Sequence, residues 1–194
     1  MVEASRPGGE SIATYAARLA ARTPTPGGGS AAGVVGSLAA ALAQMVLAYS
    51  FGPKKPDAEL AGLHATFGAA RERFLRLAED DARSYDSVRA ALRRKKENPT
   101  DPAAGAAVVA ALRGAVAVPL DTARSARELA RSLEAVRART NAQLASDLVT
   151  SLALFRAAAE GALANVGINL HDLKAAGEPV DEIEAEVARL GQGP

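Results

Sequence analysis

The chain has 194 residues, 48% of them hydrophobic but only 4% aromatic, with neither cysteine nor tryptophan. Twenty-three Lys and Arg stand against 22 Asp and Glu, so no overall field draws the chain to nucleic acid, and disulfides, thiolate metal sites and a cysteine nucleophile are excluded. Such a length supports one sizeable core, so a single domain over residues 1–194 is expected, and the abundance of Ala calls for closely approaching helices rather than a sandwich or barrel.

Met1 to Gly9 hold no basic stretch followed by an apolar one, so no secretory signal is expected and the cytoplasm is the expected location. Ser11 to Arg22 places Ile12, Tyr15, Ala16 and Leu19 at helical spacing. Thr23 to Gly29 interrupts that helix. Ser30 to Tyr49 is apolar or small apart from Ser37 and Gln44, and predicts a helix buried on all sides. It is long enough for a membrane span, but its Ala and Gly content and the lack of a second candidate favour a central packing helix.

Pro56 and Asp57 open a long helix running to about Arg94, with Leu60, Leu63, Phe67, Phe74, Leu77, Tyr85, Val88 and Leu92 on its apolar face. Lys95 to Pro102 is expected to be a loop. Ala103 to about Ala138 is helical again, with a kink or break expected at Pro119, which removes a backbone hydrogen bond. A further helix starts near Ser146 or Asp147 and runs to about Asn165, and Val180 to Leu190 forms a short amphipathic one. With no strand alternation and no internal repeat, the expected fold is all-α: a helical bundle around a buried Ala/Gly-rich central helix.

Several stretches carry polar groups suited to a site. Pro26-Gly27-Gly28-Gly29-Ser30 lets the backbone approach a ligand beside free helix-start amides, or is simply a turn before a Ser cap. It is neither a Walker loop nor a dinucleotide fingerprint. Ser146 and Asp147 cap a helix or face a ligand, while Asn141 lies too far upstream to be that cap. Asn165, Asn169 and Asp172 read as terminators at the far end of the same helix. Of the adjacent carboxylates Glu79, Asp80 and Asp81, Asp81 lies nearest the apolar face and becomes a proton carrier if burial raises its pKa. His64 and His171 have no spacing suited to a metal site, and none is expected. The pairs Lys54 and Lys55, and Lys95 and Lys96, are solvated charge or hold a polyanionic tail.

Five of these segments, in order, resemble the cyclodeaminase/cyclohydrolase family, which comprises the formiminotransferase-cyclodeaminase C-terminal domain and free-standing methenyltetrahydrofolate cyclohydrolases. The resemblance rests on Pro26 to Ser30, Asp81-Ala82-Arg83-Ser84-Tyr85, Ala117-Val118-Pro119-Leu120, Asn141 to Asp147, and Asn165 to Asp172. It implies a helical homodimer that binds a folate substrate beside the glycine loop without a cofactor or metal; the balanced charge and the Ala/Gly-rich central helix already speak against a nucleic-acid or a membrane partner. By the same resemblance, Gly27, Gly28, Gly29, Ser30, Asn141 and Ser146 bind substrate, Lys54 and Lys55 sit in the family's basic stretch, and Asp81, Lys96 and Asp147 are the catalytic candidates. The chain departs from the family at Pro53-Lys54-Lys55-Pro56, which lacks the family's tyrosine, at Arg94-Lys95 in place of Leu-Pro, and at Gly68, where some members carry a histidine; His64 lies one turn earlier.

The resemblance leaves two reactions open. A cyclohydrolase adds water to 5,10-methenyltetrahydrofolate to give 10-formyltetrahydrofolate. A cyclodeaminase closes 5-formiminotetrahydrofolate to the methenyl compound with loss of ammonia. The first is favoured because no formiminotransferase domain accompanies this chain. A non-enzymatic helical interaction protein is the alternative of a different class, and it predicts no folate binding.

Overall fold

The computed structural model describes residues 9–192 as six helices: α1 (Ile12–Leu19), α2 (Gly28–Ala48), α3 (Ala58–Glu97), α4 (Pro102–Ala135), α5 (Ala145–Ala175) and α6 (Asp181–Gly191). Two 3-10 turns, Arg137–Arg139 and Ala142–Leu144, join α4 to α5. Among the described residues there is no strand, only an isolated antiparallel bridge between Gly52 and Lys55. The fold is the expected all-α bundle. Most of the amino-terminal stretch read as lacking a secretory signal lies outside the described residues.

Helix α2 packs between α3 and α5, and α4 closes the bundle against both. Small residues make this possible. A Cβ on Gly33 would lie 2.9 Å from backbone atoms of Phe74 and Ala78, and one on Gly36 would lie 2.7 Å from the Phe74 ring. Ala39, Ala40, Ala43, Val46 and Leu47 of α2 are completely enclosed, and the rings of Phe67, Phe74 and Phe155 meet in the centre. The expectation of burial on all sides needs correcting, however. Leu38, Met45 and Tyr49 form an uncovered stripe along α2, with exposures of 45%, 37% and 68%.

Helix ends differ from the sequence reading where capping was inferred from residue type alone. Gly27, with no side-chain hydrogen bond, is the N-cap of α2, so Ser30 sits in the first turn and is no cap. Likewise α5 starts at Ala145 after Leu144, so neither Ser146 nor Asp147 caps it. Asn141 does cap, but it caps the 3-10 turn, accepting from the Gln143 amide at 3.0 Å. Lys95 and Lys96 belong to the last turn of α3 rather than to a loop. Helix α5 continues past Asn165 to Ala175 and closes at Gly177, whose φ of 85° suits glycine.

Pro119 lies inside α4, which runs through it without a break. Proline has no amide hydrogen, so the carbonyl of Ala115, four residues back, loses its helical donor. Asn169 of α5 replaces that donor, its Nδ2 reaching the Ala115 oxygen at 2.6 Å. A kink or a break was expected at Pro119; there is no break, and the cross-helix bond satisfies the carbonyl that proline leaves free.

Two helices, α2 and α4, are long and apolar enough to cross a membrane, one more than the sequence reading found. Half of the apolar window in α2 is buried inside the bundle, as packing on α3 and α5 requires.

The α2–α3 contact generates a test of the fold. Gly33→Ala should cost about 1 to 3 kcal/mol, because the methyl meets backbone that cannot step aside. Gly62, whose Cβ would meet nothing within 4 Å, should accept Ala with no loss and a small gain. Urea melts of both variants check the contrast.

Candidate active site

The glycine loop and α3 meet where α2 begins. A Cβ on Gly29 would fall inside the Asp81 carboxylate, so only glycine lets that carboxylate lie against the first turn of α2. There the Ser30 amide donates to it. The position is favourable for an anion because first-turn amides have no helical acceptor. Burial nevertheless outweighs that bond and pushes the Asp81 carboxyl above its ordinary value. Its neighbours Glu79 and Asp80 both pair with Arg83, so Asp81 is the member of the acidic run left facing inward, as expected.

Helix α1 contributes Tyr15, its one buried residue, whose hydroxyl lies 3.0 Å from Ser30 Oγ in a buried hydrogen bond. Burial, and the nearby Asp81 charge to a smaller degree, push the Tyr15 hydroxyl up, so it stays protonated. Ser30 thus binds Asp81 through its amide and Tyr15 through its side chain.

In front of Asp81 opens a cleft of about 290 Å³ between the glycine loop, α3, α4 and α5. Gly28 forms one lip, where an added Cβ would lie 3.1 Å from Asn165 Nδ2. Val88, Leu112 and Ile168 supply apolar walls, while Asn165, Asn169 and Asp172 line the α5 side. Asn165 donates through Nδ2 to the Gly161 carbonyl at 2.8 Å, and Asn169 to that of Ala115. Among the described residues the lining holds two carboxylates, Asp81 and Asp172, and no Lys, Arg or His. Among the described residues no cluster of His, Cys, Asp and Glu could hold a metal ion.

The structure therefore joins Gly27, Gly28, Gly29, Ser30 and Asp81, but not the other candidates, within one chain. Helix α5 runs antiparallel to α2: Ser151 Oγ donates to the Ala39 carbonyl at 2.9 Å, and the Asn141 amide to Ser50 Oγ at 2.9 Å. Asn141, Ser146 and Asp147 consequently cluster with Lys54 and Lys55 at the opposite end of α2. Eighteen residues of helix separate Asp147 from Asn165, about 27 Å. His64 is also at that end, edge-on to Phe51 at 5.8 Å. Lys96 is exposed, fifteen residues and about 22 Å along α3 from Asp81.

Asn165, Asn169 and Asp172 belong to the cleft, although the sequence reading made them helix terminators. Their spacing of four and then three residues, which puts all three on one helical face, was the available signal. Tyr15 was read as an apolar core position, and nothing in sequence spacing marks its bond to Ser30.

Residues 11–189 match the family described as formiminotransferase-cyclodeaminase. The chain is similar to the methenyltetrahydrofolate cyclohydrolase of Methylorubrum extorquens, at 33% identity over 95% of this chain and 92% of that protein. It is 32% identical to the formimidoyltransferase-cyclodeaminase of Sus scrofa over 84% of this chain, but spans only 31% of that protein. The crystal structure of formiminotetrahydrofolate cyclodeaminase from Thermotoga maritima superposes with a TM-score of 0.75 at 29% identity, covering 94% of this chain and 92% of that one.

The raised Asp81 pKa has a signed consequence for stability. A carboxyl whose folded pKa exceeds its unfolded one binds protons more tightly when folded, so its stabilising contribution is present below the unfolded value and is lost as pH rises through the folded value. Asp81→Asn keeps an acceptor for the Ser30 amide and removes the ionisation. Its melting temperature should match or exceed that of the natural chain at about pH 8 and gain on it from about pH 4 upward. A melting temperature well below the natural chain at pH 8 would contradict the burial argument.

Proposed function

Because the chain belongs to the formiminotransferase-cyclodeaminase family, we propose that it is a one-carbon folate enzyme that hydrolyses 5,10-methenyltetrahydrofolate to 10-formyltetrahydrofolate. The observation that carries the reading is the Asp81 carboxyl, half-buried at the glycine loop and facing a cleft whose lining, among the described residues, has two carboxylates and no basic side chain. The methenyl substrate is a cation, and such a cleft attracts it. The preference for hydrolysis over deamination follows the 33% identity to the Methylorubrum extorquens cyclohydrolase, against 29% to the Thermotoga maritima cyclodeaminase, which matches over as much of both chains.

The chemistry needs one group that takes and returns a proton. Ionised Asp81 accepts a proton from water as its oxygen bonds to the methenyl carbon, giving a neutral tetrahedral adduct. Protonated Asp81 then delivers that proton to N5 as the carbon–N5 bond breaks. The adduct hydroxyl becomes the formyl carbonyl, and its proton leaves to solvent, so one proton is released per turnover. In the deaminase direction the same acid would protonate departing ammonia after N10 attacks the formimino carbon. The alternative activity therefore uses the same groups and is settled by substrate, not by site.

The polar groups left at the far end of α2 fit this reading through a homodimer. The stripe of Leu38, Met45 and Tyr49 is an apolar face without a cover among the described residues. An antiparallel pairing of two α2 helices about a twofold axis would lay the glycine-loop end of one protomer over the Lys54, Asn141 and Asp147 end of its partner. Lys54 and Lys55 would then receive the glutamate tail, and Asp147 would add a third carboxylate near the cation. Lys96, exposed at the end of α3, is proposed only as a second proton carrier reached in that assembly.

Two measurements test these proposals. The protein should bleach the near-ultraviolet absorbance of 5,10-methenyltetrahydrofolate, and Asp81→Asn should lower kcat about a hundredfold or more with the fold intact; an active Asp81→Asn would remove Asp81 from the chemistry. The double variant Leu38→Glu, Met45→Glu should sediment as a monomer while keeping its helical content. If it remains a dimer, the α2 stripe is not the interface.

A further inference from the structure

The carbonyl freed by Pro119 does more than hold two helices together. A carbonyl oxygen only accepts, so the atom of Asn169 that faces it at 2.6 Å has to be the Nδ2 donor. The carboxamide is thereby locked in one orientation, and Oδ1 is left to the other side. No hydrogen bond to that oxygen exists among the described residues, and the side chain lines the cleft. We propose that Asn169 is a specificity-determining residue, oriented by Pro119 through the Ala115 carbonyl, that presents Oδ1 to the N–H edge of the substrate's fused pyrimidine ring.

This inference rests on the folate reading above and says which part of that substrate enters the cleft beside α5. Folate has an anionic glutamate end and a flat heterocycle whose 2-amino group and N3–H are adjacent donors. A cleft lined, among the described residues, by two carboxylates and no cation disfavours the anionic end. It suits the donor edge, because Val88, Leu112 and Ile168 can flank a flat ring. Asn165, one turn before Asn169, shares its face. It is the weaker candidate because its Nδ2 bonds Gly161, an ordinary carbonyl of its own helix. Asn169 is anchored by the one carbonyl of α4 whose helical donor proline has removed, a partner that no backbone amide of that helix competes for. Pro119 is accordingly a positioning residue for a group on another helix.

The test measures equilibrium binding of 5-formyltetrahydrofolate and of its 2-desamino-2-methyl analogue to the full-length protein. The natural chain should bind the parent at least about tenfold more tightly, the scale of one buried hydrogen bond with a donor lost. Pro119→Ala gives the Ala115 carbonyl a helical donor and releases Asn169, and should cut the preference to about threefold or less without lowering the melting temperature. Asn169→Ala alone strands a buried carbonyl and risks the fold, so it is made together with Pro119→Ala, and this pair should abolish the preference. If the natural chain binds the parent without preferring it, or if both variants keep the full preference, the role of Asn169 is overturned while the folate reading stands. If neither compound binds, the folate reading itself fails and this inference with it.

Discussion

The close approach of α2 to α3 is the constraint on which the other features depend. Gly29, Gly33 and Gly36 recur along one edge of α2, and at each an added Cβ would collide with α3. At Gly33 and Gly36 the collision is with the backbone and ring that form the core. At Gly29 it is with the carboxylate of Asp81. The site is thus the open end of the packing seam, where the same small-residue stripe that lets two helices touch brings a carboxyl against the first-turn amides of α2. Its position is fixed by the bundle rather than by a loop, which is how a short side chain can be held in place with no ion pair among the described residues.

That placement sets one effect against another. Desolvation penalises the Asp81 anion, and the Ser30 amide compensates only in part. The result is a group whose two protonation states are closer in free energy at neutral pH than those of a solvated carboxylate, and such a group can both take and return a proton. A surface carboxylate such as Asp57, held by Arg139 and pushed to a lower pKa, has the opposite character. It stabilises the chain and is of no use as a proton carrier. The difference between the two arises from geometry, not residue type.

Much of this was legible in the residues. Apolar spacing predicted the helices, and Asp81 was picked from its acidic run by its nearness to the face marked by Phe74 and Tyr85. What failed was inference from residue type at helix ends. Ser30, Ser146 and Asp147 are good caps in isolation, but the chain enters α2 and α5 one or more residues earlier. Asn165 and Asn169 looked like terminators because a donor and acceptor on one short side chain usually compete with the helix. Here that donor is engaged by Gly161 or by the carbonyl that Pro119 leaves free. No local rule reports that Asn169 bonds the carbonyl of Ala115, fifty-four residues away in sequence, which Pro119 leaves without its helical donor. The separation of Asn141 and Asp147 from the glycine loop was equally invisible, since it depends on α5 running antiparallel to α2.

The central claim is that one carboxyl, raised by burial at the end of the α2–α3 seam, carries the proton in turnover. The most direct test is to follow the carboxyl carbon of Asp81 by NMR through a pH titration of the protein and to compare it with the acid limb of kcat/KM for 5,10-methenyltetrahydrofolate. The account predicts one shared ionisation, above the ordinary carboxylate range of about 3.9, with activity rising as Asp81 loses its proton. An Asp81 that titrates at the ordinary value, or an acid limb that belongs to a different ionisation, would contradict it.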